Sequence, residues 1–254
     1  MAGNWRGKRV WIVGASSGIG AALARELSSR GATLGLSARN MAALAEIAAG
    51  LKGTGHEMAP LDMTDPVSVT AALTRLTEGG KRIDVAVLNA GAYAPMRAFA
   101  IDRQAAELQI RTNLTGTVDC LAAIIPHFLA RGSGHIAVVA SVAGYRGLPQ
   151  SLVYGATKAA LINMAETMYL DLGPRGIKVQ IVNPGFVATP LTAGNRFKMP
   201  ALISPQQAAI AIADGMESSR FEIHFPKRFT RVLKLLRLLP YGLYFPLIRR
   251  ITGL

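Results

Sequence analysis

Cysteine is almost absent from this chain. Cys120 is the single one among 254 residues, which excludes an intrachain disulfide framework and a cysteine-based zinc site. Acids are scarce too, 15 against 28 Lys and Arg, for a formal charge of +13; an excess of that size points to an anionic partner such as a nucleic acid, a membrane surface, or an acidic carrier or cofactor. Long hydrophobic runs are missing. The longest in the basic tail, residues 238–248, has 11 residues, against roughly 20 for a membrane-spanning helix. Arg6, Lys8 and Arg9 before the short run Val10-Trp11-Ile12-Val13 only loosely imitate a signal peptide, because the run is too short and meets glycines at once. The expectation is a soluble, cytoplasmic protein, at most peripheral on the inner face of a membrane. The histidines His56, His127, His135 and His224 show no metal-ligand spacing and read as structural, so no metal is expected.

What is present is core material. Half the residues are hydrophobic and the mean hydropathy is +0.30, which excludes disorder and low-complexity repeats; the length suits one α/β domain. Compact apolar runs at 9–15, 33–38, 84–89, 135–140 and 178–183, with weaker ones at 56–61 and 221–225, alternate with helical patterns at 19–30, 40–49, 66–78, 103–131, 152–172 and 205–217. Near-continuous apolar strands suit a parallel sheet covered on both faces, and the alternation predicts a doubly wound sheet. Asp65 before Pro66 and Ser204 before Pro205 are helix starts, and Gly31 and Gly173 read as helix stops. Residues 1–225 form one domain in this reading, and 226–254 a basic extension.

The first strand runs into Gly14-Ala15-Ser16-Ser17-Gly18-Ile19-Gly20 and then a helix. Glycines there allow a tight turn and let backbone N–H groups approach a pyrophosphate at the positive helix end. The second strand ends Ser37-Ala38-Arg39-Asn40, with no acid to bind ribose hydroxyls. A guanidinium pairs well with a 2′-phosphate, so Arg39 favours NADP(H), unless it is merely a solvated surface charge. Further on, Tyr154 and Lys158 stand four residues apart on one helix face. An ammonium beside a phenol is expected to lower a pKa of about 10 and make Tyr154 an acid/base near neutrality. Ser141 ends an apolar strand, where open α/β sheets place ligands, and its hydroxyl suits a carbonyl oxygen. Asn113 is a polar residue within a mainly apolar helix, and a buried structural amide is the alternative to a functional role.

Taken in order, Gly14-x-x-x-Gly18-x-Gly20, Leu61-Asp62-Met63, Asn89-Ala90-Gly91, Asn113, Ser141, Tyr154-x-x-x-Lys158 and Pro184-Gly185 resemble the short-chain dehydrogenase/reductase family over residues 7–225. The resemblance implies a single-domain Rossmann-type sheet of about seven strands flanked by helices. It implies catalysis by Asn113, Ser141, Tyr154 and Lys158: Tyr154 as proton donor or acceptor, Ser141 orienting substrate, Lys158 also binding the nicotinamide ribose, and Asn113 holding a water that passes protons to solvent. The cofactor would lie on Gly14, Ser16, Ser17, Gly18, Ile19, Gly20 and Arg39, with Asp62 and Met63 bordering the adenine. Asn89, Ala90 and Gly91 would stand near the adenosine ribose, and Pro184, Gly185, Val187 and Thr189 near the nicotinamide. Val13 stands where the family often has Thr, and Leu88 replaces the first Asn of Asn-Asn-Ala-Gly; both are supporting positions. Relatives are commonly dimers or tetramers, so a homo-oligomer is implied.

Residues 188–203 fall where the family has its substrate lid, and Leu191, Phe197, Met199, Leu202 and Ile203 would give it an apolar inner face, unless the loop simply packs on the core. Residues 220–254 carry eight basic residues and one acid. Between Pro226 and Pro240, Lys227, Arg228, Arg231, Lys234 and Arg237 take one half of a helix, and Phe229, Val232, Leu233, Leu236 and Leu239 the other. That is the pattern of an interfacial anchor through 227–245 on an anionic membrane, or of an ordinary helix packed on the domain or a second subunit. Basic residues alternating with leucines and no recognised nucleic-acid motif speak against nucleic acid. The expected function is hydride transfer between NADP(H) and a carbonyl or secondary alcohol of a hydrophobic or lipid-like substrate. The alternatives are reduction of a 3-oxoacyl chain on an acidic carrier, or a non-catalytic NADP(H)-binding scaffold at a membrane surface.

Overall fold

The computed structural model of the chain describes residues 5–253 apart from Arg196 and Lys198. Positions 1–4, 196, 198 and 254, which belong to the expected domain, lid and tail ranges, lie outside the described residues. In chain order the elements are β1 (Arg9–Val13), α1 (Gly18–Ser29), β2 (Thr33–Ala38), α2 (Met41–Ala49), β3 (Glu57–Pro60), α3 (Pro66–Thr77) and β4 (Val85–Leu88). Then come α4 (Arg103–Ile110), α5 (Gly116–Leu129), β5 (Gly134–Val139), α6 (Leu152–Leu172), β6 (Ile177–Pro184), α7 (Pro205–Glu217), β7 (Glu222–Phe225), α8 (Lys227–Arg237) and α9 (Tyr241–Thr252).

The strands form one seven-stranded parallel sheet in the order β3-β2-β1-β4-β5-β6-β7. Successive side chains of a strand point to opposite faces, and both faces here are apolar. Val10, Ile12, Val85 and Val87 join the core under α1 and α7, whereas Trp11, Val13, Ala86 and Leu88 join the core on the opposite face. Within this interior the Trp11 indole N–H donates to Ser37 Oγ at 3.0 Å. The chain winds outward from β1 to β3, then returns to β4 beside β1. That reversal opens a crevice at the carboxyl ends of β1 and β4, the place where such sheets take ligands.

Helix starts follow their side-chain signals. Asp65 accepts from Val67 N at 2.9 Å, and Ser204 and Gln207 form a reciprocal capping box on α7. Two details differ from the sequence reading. The stretch 103–131 is not one helix: a π-helical turn over Arg111–Thr115 separates α4 from α5. Buried positions still recur every three or four residues straight through it (Gln109, Asn113, Thr117, Cys120, Ile124, Phe128), so the pattern carries no trace of the wider turn. Gly173 closes α6 in right-handed geometry and opens a short 3-10 turn; the left-handed residue is Gly176, at φ +77°. Among the described residues no helix is long and apolar enough to cross a membrane.

Candidate active site

A cleft of about 510 Å³ opens at the switch point. It is lined by every residue expected at the site except Gly20 and Asn113, and those two stand directly behind its walls. At the glycine end the walls are backbone. Gly14 has φ +85°, and a Cβ there would lie 2.7 Å from Ala90 Cα; on Gly20 it would lie 2.1 Å from the Gly14 carbonyl oxygen. Asn89 Nδ2 donates to that same oxygen at 3.1 Å, tying β4 to the turn. The amides of Gly14 and Ala15 both donate to Ser37 O, at 2.7 and 3.2 Å, which bends the chain away from β2 after Val13 and ends the strand two residues before the apolar run does. Ser17 is the N-cap of α1 but makes no capping bond with its side chain, so the first amides of α1 have no side-chain partner where they meet the cleft. A narrow backbone cradle at a helix N-terminus fits a pyrophosphate.

Further along, Arg39 and Asp62 share the cleft wall. Asp62 Oδ1 accepts from Thr64 N at 2.9 Å and Thr64 Oγ1 at 2.8 Å. The Thr64 amide above all, and the nearby Arg39 and Arg111 cations, hold this carboxylate below its usual range.

The opposite end, where the expected catalytic residues meet, is built from side chains. β5 delivers Ser141, whose Oγ caps the following turn by accepting from Ala143 N at 3.1 Å. α6 presents Tyr154 and Lys158 to the cleft together. Lys158 is buried, donates from Nζ to Val139 O at 2.9 Å and lies 5.6 Å from the Tyr154 ring centroid. Asn113, in the π-turn, is fully buried and does not reach the cleft. Its Oδ1 accepts from Ala92 N at 2.7 Å, and its Nδ2 donates to Ala92 O at 2.9 Å and Thr157 Oγ1 at 3.1 Å. The side chain is thus a structural amide that fastens the loop after β4 to α6, one residue from Lys158.

One expectation is corrected here. Lys158 was expected to lower the Tyr154 pKa, yet burial raises that phenol to about 12, against a smaller opposing pull from the facing Ser141 hydroxyl. Burial also lowers Lys158 to about 8. The reason is geometric: the ammonium is engaged with a backbone carbonyl and sits by the ring, so desolvation dominates both groups.

The family described as short chain dehydrogenase matches residues 8–199. The chain belongs to that family. An uncharacterised oxidoreductase of Myxococcus xanthus is 32% identical over 94% of this chain and 96% of its own. The ketoacyl reductase HetN of Nostoc is 30% identical over 85% of this chain and 78% of its own. A short-chain dehydrogenase/reductase of Burkholderia phymatum, solved in complex with NAD, shares the fold with a TM-score of 0.83 at 23% identity, covering 92% of this chain and 94% of that one. The protein is therefore an oxidoreductase of the short-chain dehydrogenase family.

In the walls of this short-chain dehydrogenase's cleft, Thr112 and Val139 escaped sequence reasoning, and so did Tyr93, which packs on Tyr154; Pro190 and Thr192 line the cleft from within the expected 188–203 segment. The Tyr93 ring meets Tyr154 edge-on, with centroids 4.9 Å apart; its place just after Asn89-Ala90-Gly91 was the available signal. In the 188–203 segment, Leu191 lines the cleft and Phe197 packs edge-on against Phe186. Ile203 pairs back to the chain through Ala188 N and Phe186 O, joining the core, while Leu202 faces outward.

Proposed function

We propose that this protein transfers hydride between NADP(H) and a carbonyl or secondary alcohol of an apolar substrate. The observation that carries the reading is the convergence of Ser141, Tyr154 and Lys158 at one end of a cleft whose other end is the glycine cradle. Bound there, NADP(H) supplies or accepts the hydride. Gly14, Ser16, Ser17, Gly18 and Ile19 would hold its pyrophosphate, and Asn89, Ala90, Gly91, Asp62 and Met63 the adenosine end. Pro184, Gly185, Val187 and Thr189 would flank the nicotinamide. Arg39 supports the phosphorylated cofactor, because the tip of β2 offers no carboxylate and the nearest acid, Asp62, is already committed to Thr64.

At the reacting carbonyl, Ser141 orients the oxygen and Tyr154 gives up its proton. A phenol pushed up to about 12 is protonated at neutral pH, which arms the site for reduction. Oxidation needs the phenolate, which a hydrogen bond from Ser141 or added positive charge near the hydroxyl would favour. Lys158 is the cation nearest the Tyr154 ring, at 5.6 Å from its centroid, and Asn113 is a positioning residue.

Tyr154→Phe tests the assignment. It should bind NADPH as wild type does and lose a hundredfold or more of turnover in a carbonyl panel, the range general acid catalysis supplies. Turnover within a few-fold of wild type would remove Tyr154 from the chemistry, and wild-type binding without turnover on any carbonyl would favour the scaffold. The Nostoc relative is named a ketoacyl reductase, which supports a second reading, a ketoacyl chain as the substrate; the basic charge of this chain would suit such a chain carried on an acidic carrier, the 3-oxoacyl alternative raised by the sequence. Exposed Leu108, Val118, Leu129 and Leu170 on α4, α5 and α6 support assembly into a homo-oligomer through these helices.

A further inference from the structure

The last two helices carry a surface that hydride transfer does not use. Part of the apolar stripe of α8 packs on the domain, the second of the two expected outcomes: Phe229 lies 5.7 Å from the Phe186 ring, and Phe229 and Leu233 pack on the core. Lys234 is drawn in as well, to Glu222, which also accepts from Tyr145 and Asn183. Other apolar side chains remain outside. Val232 and Leu235 of α8, Leu238 just after it, and Leu243, Phe245 and Ile251 of α9 are each more than half exposed, Leu238 at 78%. Lys227, Arg228, Arg231, Arg249 and Arg250 stand exposed among them. Residues 223–254 hold seven basic residues and no acid, and among the described residues only Lys234 of these is paired.

This surface is tied to the domain. Arg146 donates to the carbonyls of Leu236 and Arg237, at 3.2 and 3.1 Å, and to that of Leu239, so it closes the end of α8. The same guanidinium lies over the rings of Tyr241 and Tyr244, 4.6 and 4.0 Å from their centroids. Tyr244 is buried and donates to Gly147 O at 2.8 Å. The hairpin therefore rests on the segment that leaves Ser141 and, through Phe229, on Gly185 and Phe186, beside the cleft. Phe186 in turn meets Phe197 of the 188–203 segment.

Six large apolar side chains in water are unfavourable, and the six cations other than Lys234 need counter-charge. A second copy on the same patch would satisfy the first and oppose the second. A phosphate backbone would do the reverse. The surface of an anionic bilayer answers both, with headgroup charge for the cations and the acyl boundary for the apolar side chains. We propose that α8 and α9 dock this protein on anionic lipid bilayers, so that an apolar substrate passes from the lipid into the adjoining cleft; this passage rests on the reductase reading above.

The test sediments the full chain, without substrate or cofactor, with vesicles of phosphatidylcholine alone or with one-third phosphatidylglycerol. Binding should require phosphatidylglycerol and weaken with salt. Replacing Arg228, Arg231 and Arg249 by Gln should weaken it about a hundredfold, at roughly fivefold per charge. Replacing Leu235, Leu243 and Ile251 by Ser should weaken it at least tenfold. All six positions are exposed, and urea midpoints equal to wild type confirm folded variants. Absence of vesicle binding, or binding unchanged in both variants, overturns the proposal. So does duplex DNA bound more tightly than vesicles and indifferent to the Ser variant. A second arm follows NADPH consumption with a long-chain ketone dissolved in the vesicles and a short water-soluble ketone. Anionic vesicles should speed the first and not the second, and the Ser variant should lose the gain; equal rates with and without vesicles overturn the passage. Vesicle binding with no turnover of any ketone keeps the docking and refutes the reductase reading.

Discussion

At the glycine end of the cleft, backbone lies against backbone: Gly14 against Ala90, and Gly20 beneath the Gly14 carbonyl. At the catalytic end, side chains do the holding, with Lys158 on Val139 O and Asn113 spanning Ala92 and Thr157. The first kind of wall tolerates no added atom but is indifferent to pH. The second has chemistry in it, and its desolvated ammonium and phenol weigh against the fold. One end supplies shape and the other reactivity, and each should fail in its own way.

The largest effect is expected at the first. Gly20→Ala places a methyl 2.1 Å from a carbonyl oxygen, which only a shift of the turn can relieve. Urea unfolding should show a loss of about 3 kcal/mol, the upper range for overpacking, and the same loss at every pH from neutral to mildly alkaline. A loss that varied with pH would break the contrast.

Lys158→Met sharpens it. The Lys158 pKa is about 8 in the fold, against 10.5 ordinarily. Below pH 8 both folded and unfolded chains hold the proton, and the full burial penalty stands. Between about 8 and 10.5 the folded chain sheds it first, so stability gains up to about 1.4 kcal/mol per pH unit relative to the variant. The difference between wild-type and Met unfolding energies across that window should carry this slope. At neutral pH the relief of burial is partly offset by the unpaired Val139 carbonyl. Turnover should fall about a hundredfold.

The smallest effect belongs to Arg39→Ala, at the exposed rim of the glycine end. Unfolding should barely change, and preference for NADPH over NADH should drop about tenfold, as the loss of one charge-assisted pairing implies. Undiminished preference would remove Arg39 from cofactor selection.

Steric and short-range features were legible in the sequence. A glycine forced by a carbonyl 2.1 Å away, or a Tyr and Lys one turn apart, leaves a mark within a few residues, and the strand–helix alternation specifies the sheet. What escaped is settled at long range. Arg146 finds its carbonyl partners 90 to 93 residues away, and nothing local announces them. The π-turn around Asn113 hides inside an uninterrupted burial rhythm. On α8 the amphipathic pattern fits either outcome, and contacts with Phe186 and Glu222 decide which side turns inward. The Tyr154 pKa was misjudged because sequence spacing reports proximity and is silent on desolvation.

Thr157 lies between Tyr154 and Lys158 in sequence and is turned about 60° from the first and about 100° from the second, toward the Asn113 amide, whose Nδ2 donates to it at 3.1 Å. The helix is therefore indexed from its flank: a quarter-turn about its own axis would swing Tyr154 and Lys158 out of the cleft, and the Thr157 notch resists it. Aim is thus set by groups that stand behind the cleft. On the proposed function, reshaping the mouth of the cleft to accept a new substrate would leave the bearing of Tyr154 where it was.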